Sequence, residues 1–568
     1  MATSSGYEHK VGATVEAIAP ITASDDSESQ NDQTVGFTYQ DKTDMKRMGK
    51  KQELRRNFRT LSSIAFTTCN MGTWEILLTA NTQGLIAGGS AGLFWSLVWV
   101  YIGQAFVILS LAEMASIAPT AGGQYHWVSE FAPRKYQKIL SYTSGWLSTL
   151  AWQSFVAVDS FLVGEVILGI VAINDQSFVP QRWQATLLII ATVLAIAAFN
   201  FFAGKWLADA ENLFFAFHLL AFLPVIVTVL AMTPEKQTAK TVFTQFTDNG
   251  AGWSSTGLTV MVGSDSAAHM SEEISDAGQV VPRSMVWSFF LNIPLTFGLL
   301  ISYLFCIGDI SEALSSPTGY PFIYVFQKAT GSVAGATGLT TVVLLLLIFI
   351  TTSTYASTSR QLFAFARDNG MPFSNWLARV HPKWQVPGNS ILVTCLFTMA
   401  MSLINIGSTV AFNAVLSLGV VALMATYGIS IGCVLLKRFH GEPFLPARWT
   451  LGKAGVYINV IAIVYITWAF FWSFWPNGYE PTAQTFNWAV VLFVGVMGIA
   501  CLEYFVHAKR FYEGPVVKVE GRSSKMRDPN RPLTKVGPQE PYKEQITDHG
   551  YDRPYFKLRD LLAEDTKN

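Results

Sequence analysis

Two stretches of this sequence place polar and backbone-exposing residues inside long apolar runs. The first is Thr67-Thr68-Cys69-Asn70-Met71-Gly72-Thr73-Trp74-Glu75. The second is Gly263-Ser264-Asp265-Ser266-Ala267-Ala268-His269, shortly after Gly257. Gly, Asn and Thr lower helix propensity and expose backbone. A helix broken there offers free N–H and C=O groups to a solute where the backbone lines a cavity. The N-terminus of a half-helix also attracts a carboxylate through its dipole. The expected substrate contacts are Asn70, Met71, Gly72, Thr73 and Trp74, with Gly263, Ser264, Asp265 and Ser266. Asn70 lies about 14 Å into its span and Asp265 about 15 Å into its own, at 1.5 Å per residue. An ionisable group at that depth costs several kcal/mol unless it is paired or hydrated. The same residues also admit plainer readings. Small residues at the first break suit close helix packing, and Asp265 suits a buried ion pair.

Further groups could carry an ion. Histidine as a residue type suits a proton relay, which His218 could serve, or His218 is a packed, hydrogen-bonded histidine. Glu75 and Asp265 are carboxylates at the breaks, and Asp159 and Glu165 are two more within the apolar runs. Thr352 and Ser353, within Thr351-Thr352-Ser353-Thr354, offer hydroxyls to a hard cation such as Na⁺. Such hydroxyls also bond back to their own helix. Trp74, Trp152 and Tyr142 suit gates or a cation–π surface, or simple packing.

The elements that hold these residues are set by length and hydropathy. A span needs about 20 apolar residues. Twelve stretches meet that need: 61–83, 92–115, 139–172, 184–203, 211–232, 255–275, 284–307, 335–358, 388–406, 409–436, 453–475 and 485–507. The third is long enough to tilt or overrun the bilayer. A further helical piece at 316–330 is too short and polar to span. Lys and Arg crowd one set of connections, among them Lys50, Lys51, Arg55, Arg134, Lys135, Arg283, Arg367, Lys437 and Arg438. The other set holds Arg182, Lys236, Lys240 and Lys328. The positive-inside rule then puts both termini in the cytosol.

The two breaks fall at corresponding places in two five-span units, 61–232 and 254–436. An odd number of spans per unit forces opposite orientations, the inverted repeat of many secondary transporters. The expected fold is all-α and polytopic, with spans eleven and twelve (453–507) following the repeat. Residues 1–60 are expected to form a disordered cytosolic tail, and 508–568 a second cytosolic tail.

Composition excludes several classes. Of 568 residues, 51% are hydrophobic and 14% charged, against about 25% charged in soluble domains. Lipid is the expected solvent. The formal net charge is zero, so no nucleic-acid partner is expected. The five cysteines form no CxxC pair, so no metal, disulfide or cofactor is expected. The polar N-terminus is unlike a cleavable signal peptide. No Gly-x-x-x-x-Gly-Lys-Ser/Thr loop is present, which argues against an ATP-driven pump. So little mass outside the membrane argues against an enzyme.

Three further stretches resemble a known group. They are Glu113-Met114-Ala115-Ser116-Ile117-Ala118-Pro119-Thr120-Ala121-Gly122-Gly123-Gln124-Tyr125-His126-Trp127, then His269-Met270-Ser271-Glu272-Glu273 with Val281-Pro282-Arg283, then Phe365-Ala366-Arg367-Asp368-Asn369-Gly370-Met371-Pro372 with Val386-Pro387. Together they resemble the amino acid–polyamine–organocation superfamily, in its fungal amino acid/choline transporter branch, which includes GABA and choline permeases. The resemblance implies the bacterial leucine-transporter fold. It implies substrate held at breaks in the first and sixth helices, and ion-coupled uptake, usually proton-driven. This chain has Cys69-Asn70-Met71-Gly72 where many relatives have a Gly-Ser-Gly-type break. In the fifth helix it has His218 where some proton-coupled relatives have a lysine. Glu113, Glu272, Glu273, Arg283 and Arg367 are expected on the cytosolic side, as a charge network closing an inner gate or as helix caps and topology signals. The expected activity is secondary active transport of an amino acid or amine across a plasma or vacuolar membrane. A specialised-metabolite carrier and an amino-acid sensor are the alternatives.

Overall fold

The computed structural model describes residue 48 and residues 57–249, 277–407, 409–445, 447–474, 482, 486–512 and 514–516. Helices dominate, and no strand occurs among the described residues. The elements used below are α1 (Thr60–Met71), α2 (Thr73–Ala80), α3 (Thr82–Ile117), α4 (Gln124–Phe131), α5 (Arg134–Asn174), α6 (Arg182–Phe202) and α7 (Leu207–Met232). They continue with α8 (Ala277–Cys306), α9 (Pro321–Thr330), α10 (Val333–Arg367), α11 (Gly388–Gly407), α12 (Thr409–Phe439), α13 (Gly455–Trp472) and α14 (Ala489–Glu503).

Ten helices among the described residues are long and apolar enough to cross a membrane. Twelve spans were expected, and the difference has two sources. The first expected span is split into α1 and α2, of 12 and 8 residues, each too short to span alone. The sixth, 255–275, lies outside the described residues. The remaining expectations match helix for helix, with ends that shift. Helix α5 runs for 41 residues, about 60 Å at 1.5 Å per residue, so it overruns a hydrocarbon core of about 30 Å. Helix α10 continues past 358 to Arg367, because the polar Ser-Thr-Ser-Arg-Gln turn is buried by neighbouring helices rather than ending the span.

The fifth span shows how lipid and protein faces separate. On α7, Leu213, Leu220, Leu223 and Val227 are 58–68% exposed. Glu211, Phe214, His218, Phe222 and Val225 are buried on the opposite stripe. Leucine outside and carboxylate inside inverts a soluble protein, and fits a helix whose solvent is lipid.

Both ends of the packed bundle extend beyond the expected tail boundaries. Phe58 is buried edge-on against Phe66. After α14, a turn of π-helix (Tyr504–Ala508) leads to Tyr512, which is fully buried. Its hydroxyl bonds Ser141 at 2.7 Å and its ring packs on Tyr142 and Phe365. Residues 508–516 therefore begin as a folded return against α5, not as free tail.

Candidate substrate and coupling site

The break expected between Asn70 and Trp74 is centred on Gly72. Its φ and ψ are 48° and 45°, left-handed, which glycine adopts without the Cβ penalty of other residues. A β-carbon there would lie 2.5 Å from Ile350 Cδ1 on α10. Conformation and packing therefore both select glycine. The Gly72 amide donates to the Cys69 carbonyl at 3.1 Å, tightening the last turn of α1. Helix α2 starts immediately, so the first-turn N–H groups of Thr73, Trp74 and Glu75 face the break without helical partners.

The break is held from α8. Thr73 Oγ1 donates to Asn292 Oδ1 at 2.8 Å, and Asn292 Nδ2 reaches Met71 Sδ at 3.8 Å. One asparagine thus clasps the chain on both sides of Gly72. Tyr101 of α3 donates to Thr296 at 2.7 Å, and Thr296 donates to the Asn292 carbonyl. A cavity lies between these helices, lined by Met71, Thr73, Tyr101, Phe289, Asn292 and Thr296 among others.

Behind the break, two of the expected ion carriers meet. His218 Nδ1 of α7 lies 2.5 Å from Glu75 Oε1 of α2. Both side chains are at most 2% exposed. The Trp74 ring packs on His218 and on Phe222. Four buried polar atoms here have no partner among the described residues: Asn70 Oδ1, Trp74 Nε1, Glu75 Oε2 and His218 Nε2. Buried polar atoms are normally satisfied; these four belong to a longer series of such atoms spread along the described helices.

Sequence reasoning missed Glu211. Its Oε1 accepts from Ser353 Oγ at 2.7 Å and its Oε2 has no partner. Cys69 lies within electrostatic reach of both Glu75 and Glu211. Glu211 opened the expected fifth span, where a carboxylate reads as interfacial. The helix instead starts at Leu207, which carries Glu211 a turn inward. Thr351 and Thr352 donate to Leu347 and Ile348 carbonyls of their own helix. Ser353 donates to Phe349 as well as to Glu211. No group of three or more metal-ligating side chains occurs among the described residues.

Three of the expected inner-gate residues, Glu113, Arg283 and Arg367, are among the described residues. Glu113, at the end of α3, pairs with Arg438 of α12 and accepts from the Leu451 amide at 2.9 Å. Arg283 is exposed on α8. Arg367 stacks over Phe363, beside Asp368, which accepts from Tyr125 of α4 at 3.0 Å. Tyr142 sits with Tyr125, Phe365, Tyr504 and Tyr512 in a separate aromatic cluster. Trp152 is buried on α5, edge-on to Phe155. Gly263, Ser264, Asp265, Ser266, Glu272 and Glu273 lie outside the described residues. The chain leading to them is fixed at Asn249, whose amide donates to Ile86 O and whose side chain donates to Leu85 O at the start of α3.

Comparison with known proteins decides the family. The profile described as "Amino acid permease" matches residues 58–496. The chain belongs to the amino acid permease family. The permease is 33% identical, over 72% of its length, to a Macrophomina phaseolina protein named for amino acid/polyamine transport, covering 92% of that protein. It is 28% identical to an Arabidopsis thaliana amino-acid permease, over 84% of this chain and 96% of the other. It is 27% identical to the choline transporter of Saccharomyces cerevisiae, over 80% and 82%. The permease is a multi-pass membrane transporter of amino acids or related amines and not an enzyme.

Proposed function

We propose that this permease is a proton-coupled secondary importer of a small amino acid or amine, such as GABA or choline. The observation that supports this most is the left-handed break at Gly72, set directly against the buried Glu75–His218 pair. The solute occupies the break, with a carboxylate, where it has one, at the free N–H groups of α2. Residues Gly263 to Ser266 complete the site from the sixth span. The chain sits in the plasma membrane with both termini in the cytosol. Its spans form two inverted five-helix units, 61–232 and 254–436.

Coupling follows from charge. With neutral histidine, the Glu75–His218 pair carries one negative charge inside the membrane, which is costly. A proton makes it an imidazolium–carboxylate pair with no net charge. Proton and solute thus bias the same broken helix, so each favours binding of the other. Na⁺ is the alternative coupling ion: Thr351 and Thr352 donate within their own helix, which leaves their oxygen lone pairs open to a cation.

The test is made in proteoliposomes with a pH dye inside. Adding solute outside acidifies the lumen, and His218→Gln abolishes that signal. Solute accumulation with no change of lumenal pH overturns the proton-coupled reading.

A further inference from the structure

Helix α5 carries a carboxylate that the coupling scheme leaves unused. Asp159 is only 7% exposed. Thr354, on α10, is its polar neighbour. No Lys, Arg or His of the described residues lies within ion-pair distance of it. Residues 250–276, outside the described residues, contain no Lys or Arg and one histidine, His269. The nearest arginine along α10, Arg360, donates to the Ala356 carbonyl and acts electrostatically on Glu211. A carboxylate this deep, with no basic partner among the described residues, is costly unless a proton or something cationic comes to it.

Its position relative to the break can be traced through contacts. Helices α5 and α10 run antiparallel, because Trp152 O accepts from Thr358 while the later Asp159 neighbours the earlier Thr354. One turn from Thr354 is Ile350, the residue that crowds Gly72. On α5, Leu162 and Val163, the next turn after Asp159, join Trp74, Leu77 and Ile350 in one buried cluster. Asp159 therefore stands at the level of the break.

We propose that Asp159 is the specificity-determining residue that receives the substrate's ammonium group. This rests on the carrier reading above and adds the charge class of the solute. The two poles of the site are then distinct. The α2 N-terminus attracts the negative end of a zwitterion, and Asp159 the positive end. A solute with only a positive end, such as a quaternary amine, uses the second pole alone.

The experiment measures binding to the purified full-length permease by calorimetry. Choline is compared with 3,3-dimethylbutan-1-ol, in which carbon replaces the charged nitrogen. GABA is compared with butanoate, which lacks the ammonium. Wild type should prefer the charged member of at least one pair by about tenfold or more, the scale of a charge-pair energy of at least 1.4 kcal/mol. Asp159→Asn should bring that ratio to about one, and Asp159→Glu should keep it. A merely structural role would lower affinity for both members alike and leave the ratio unchanged. Preference retained in Asp159→Asn, or absent in wild type for both pairs, overturns the assignment. Binding that keeps the charge preference in a protein that moves no solute would overturn the carrier reading and sustain this one.

Discussion

At Glu75 and His218, burial and contact decide what the residues can do. Each is an ordinary surface residue in a soluble protein. Here they face one another at 2.5 Å, each with a second polar atom left without a partner among the described residues. Removing one member of a buried ion pair costs about 3–5 kcal/mol. His218→Gln should therefore lower thermal stability measurably and, in uptake assays, flatten the dependence on external pH. A variant that keeps a wild-type pH profile would remove the pair from coupling. The sequence marked both residues as candidates but could not join them, because they lie 143 positions apart. Glu211 escaped for a related reason. A carboxylate at the edge of an apolar run looks interfacial until the helix start and its partner Ser353 are known.

Helices carry the next set of constraints. The break in the first span was legible, because Asn-Met-Gly-Thr is a poor helix in any setting. Which residue turns left-handed was not legible, since Asn also tolerates that region. The neighbour Ile350 and the Asn292 clasp make Gly72 the pivot. Gly72→Ala should cost about 1–2 kcal/mol from the left-handed backbone, plus the displacement of Ile350. We expect it to reach the cell surface with solute binding weakened or lost, read by the same calorimetry. Unchanged affinity would mean that the pivot is not part of the site. Ten of the spans were also readable, from hydropathy and length, but their ends were not. The inner-side charges were less readable. Their types suggested a gate, but the partner of Glu113, Arg438, comes from a helix whose basic end read only as a topology signal.

At the scale of the molecule, buried side chains among the described residues extend from Met48 to Val516. Composition at 508–516 is polar and mixed, so the sequence assigned it to a tail. The fold instead inserts Tyr512 among Tyr125, Tyr142 and Phe365. That joins the return from α14 to α4, α5 and α10 on the expected cytosolic side. Tyr512→Ala removes a fully buried ring and should cost about 3 kcal/mol or more. A lowered melting temperature of the purified protein checks this, and an unchanged one would show that the return is not docked.

The central claim is that the broken helix and its buried pair form a proton-driven carrier site. The most direct test is uptake of labelled GABA, choline and a panel of amino acids by permease-deficient yeast expressing this chain. It is run at pH 5 and pH 7.5, with and without Na⁺, and with surface expression confirmed. The account predicts saturable uptake of at least one of these solutes that is higher at pH 5 and indifferent to Na⁺. Uptake that needs Na⁺ and ignores pH, or no uptake of any of them by a protein present at the surface, would contradict it.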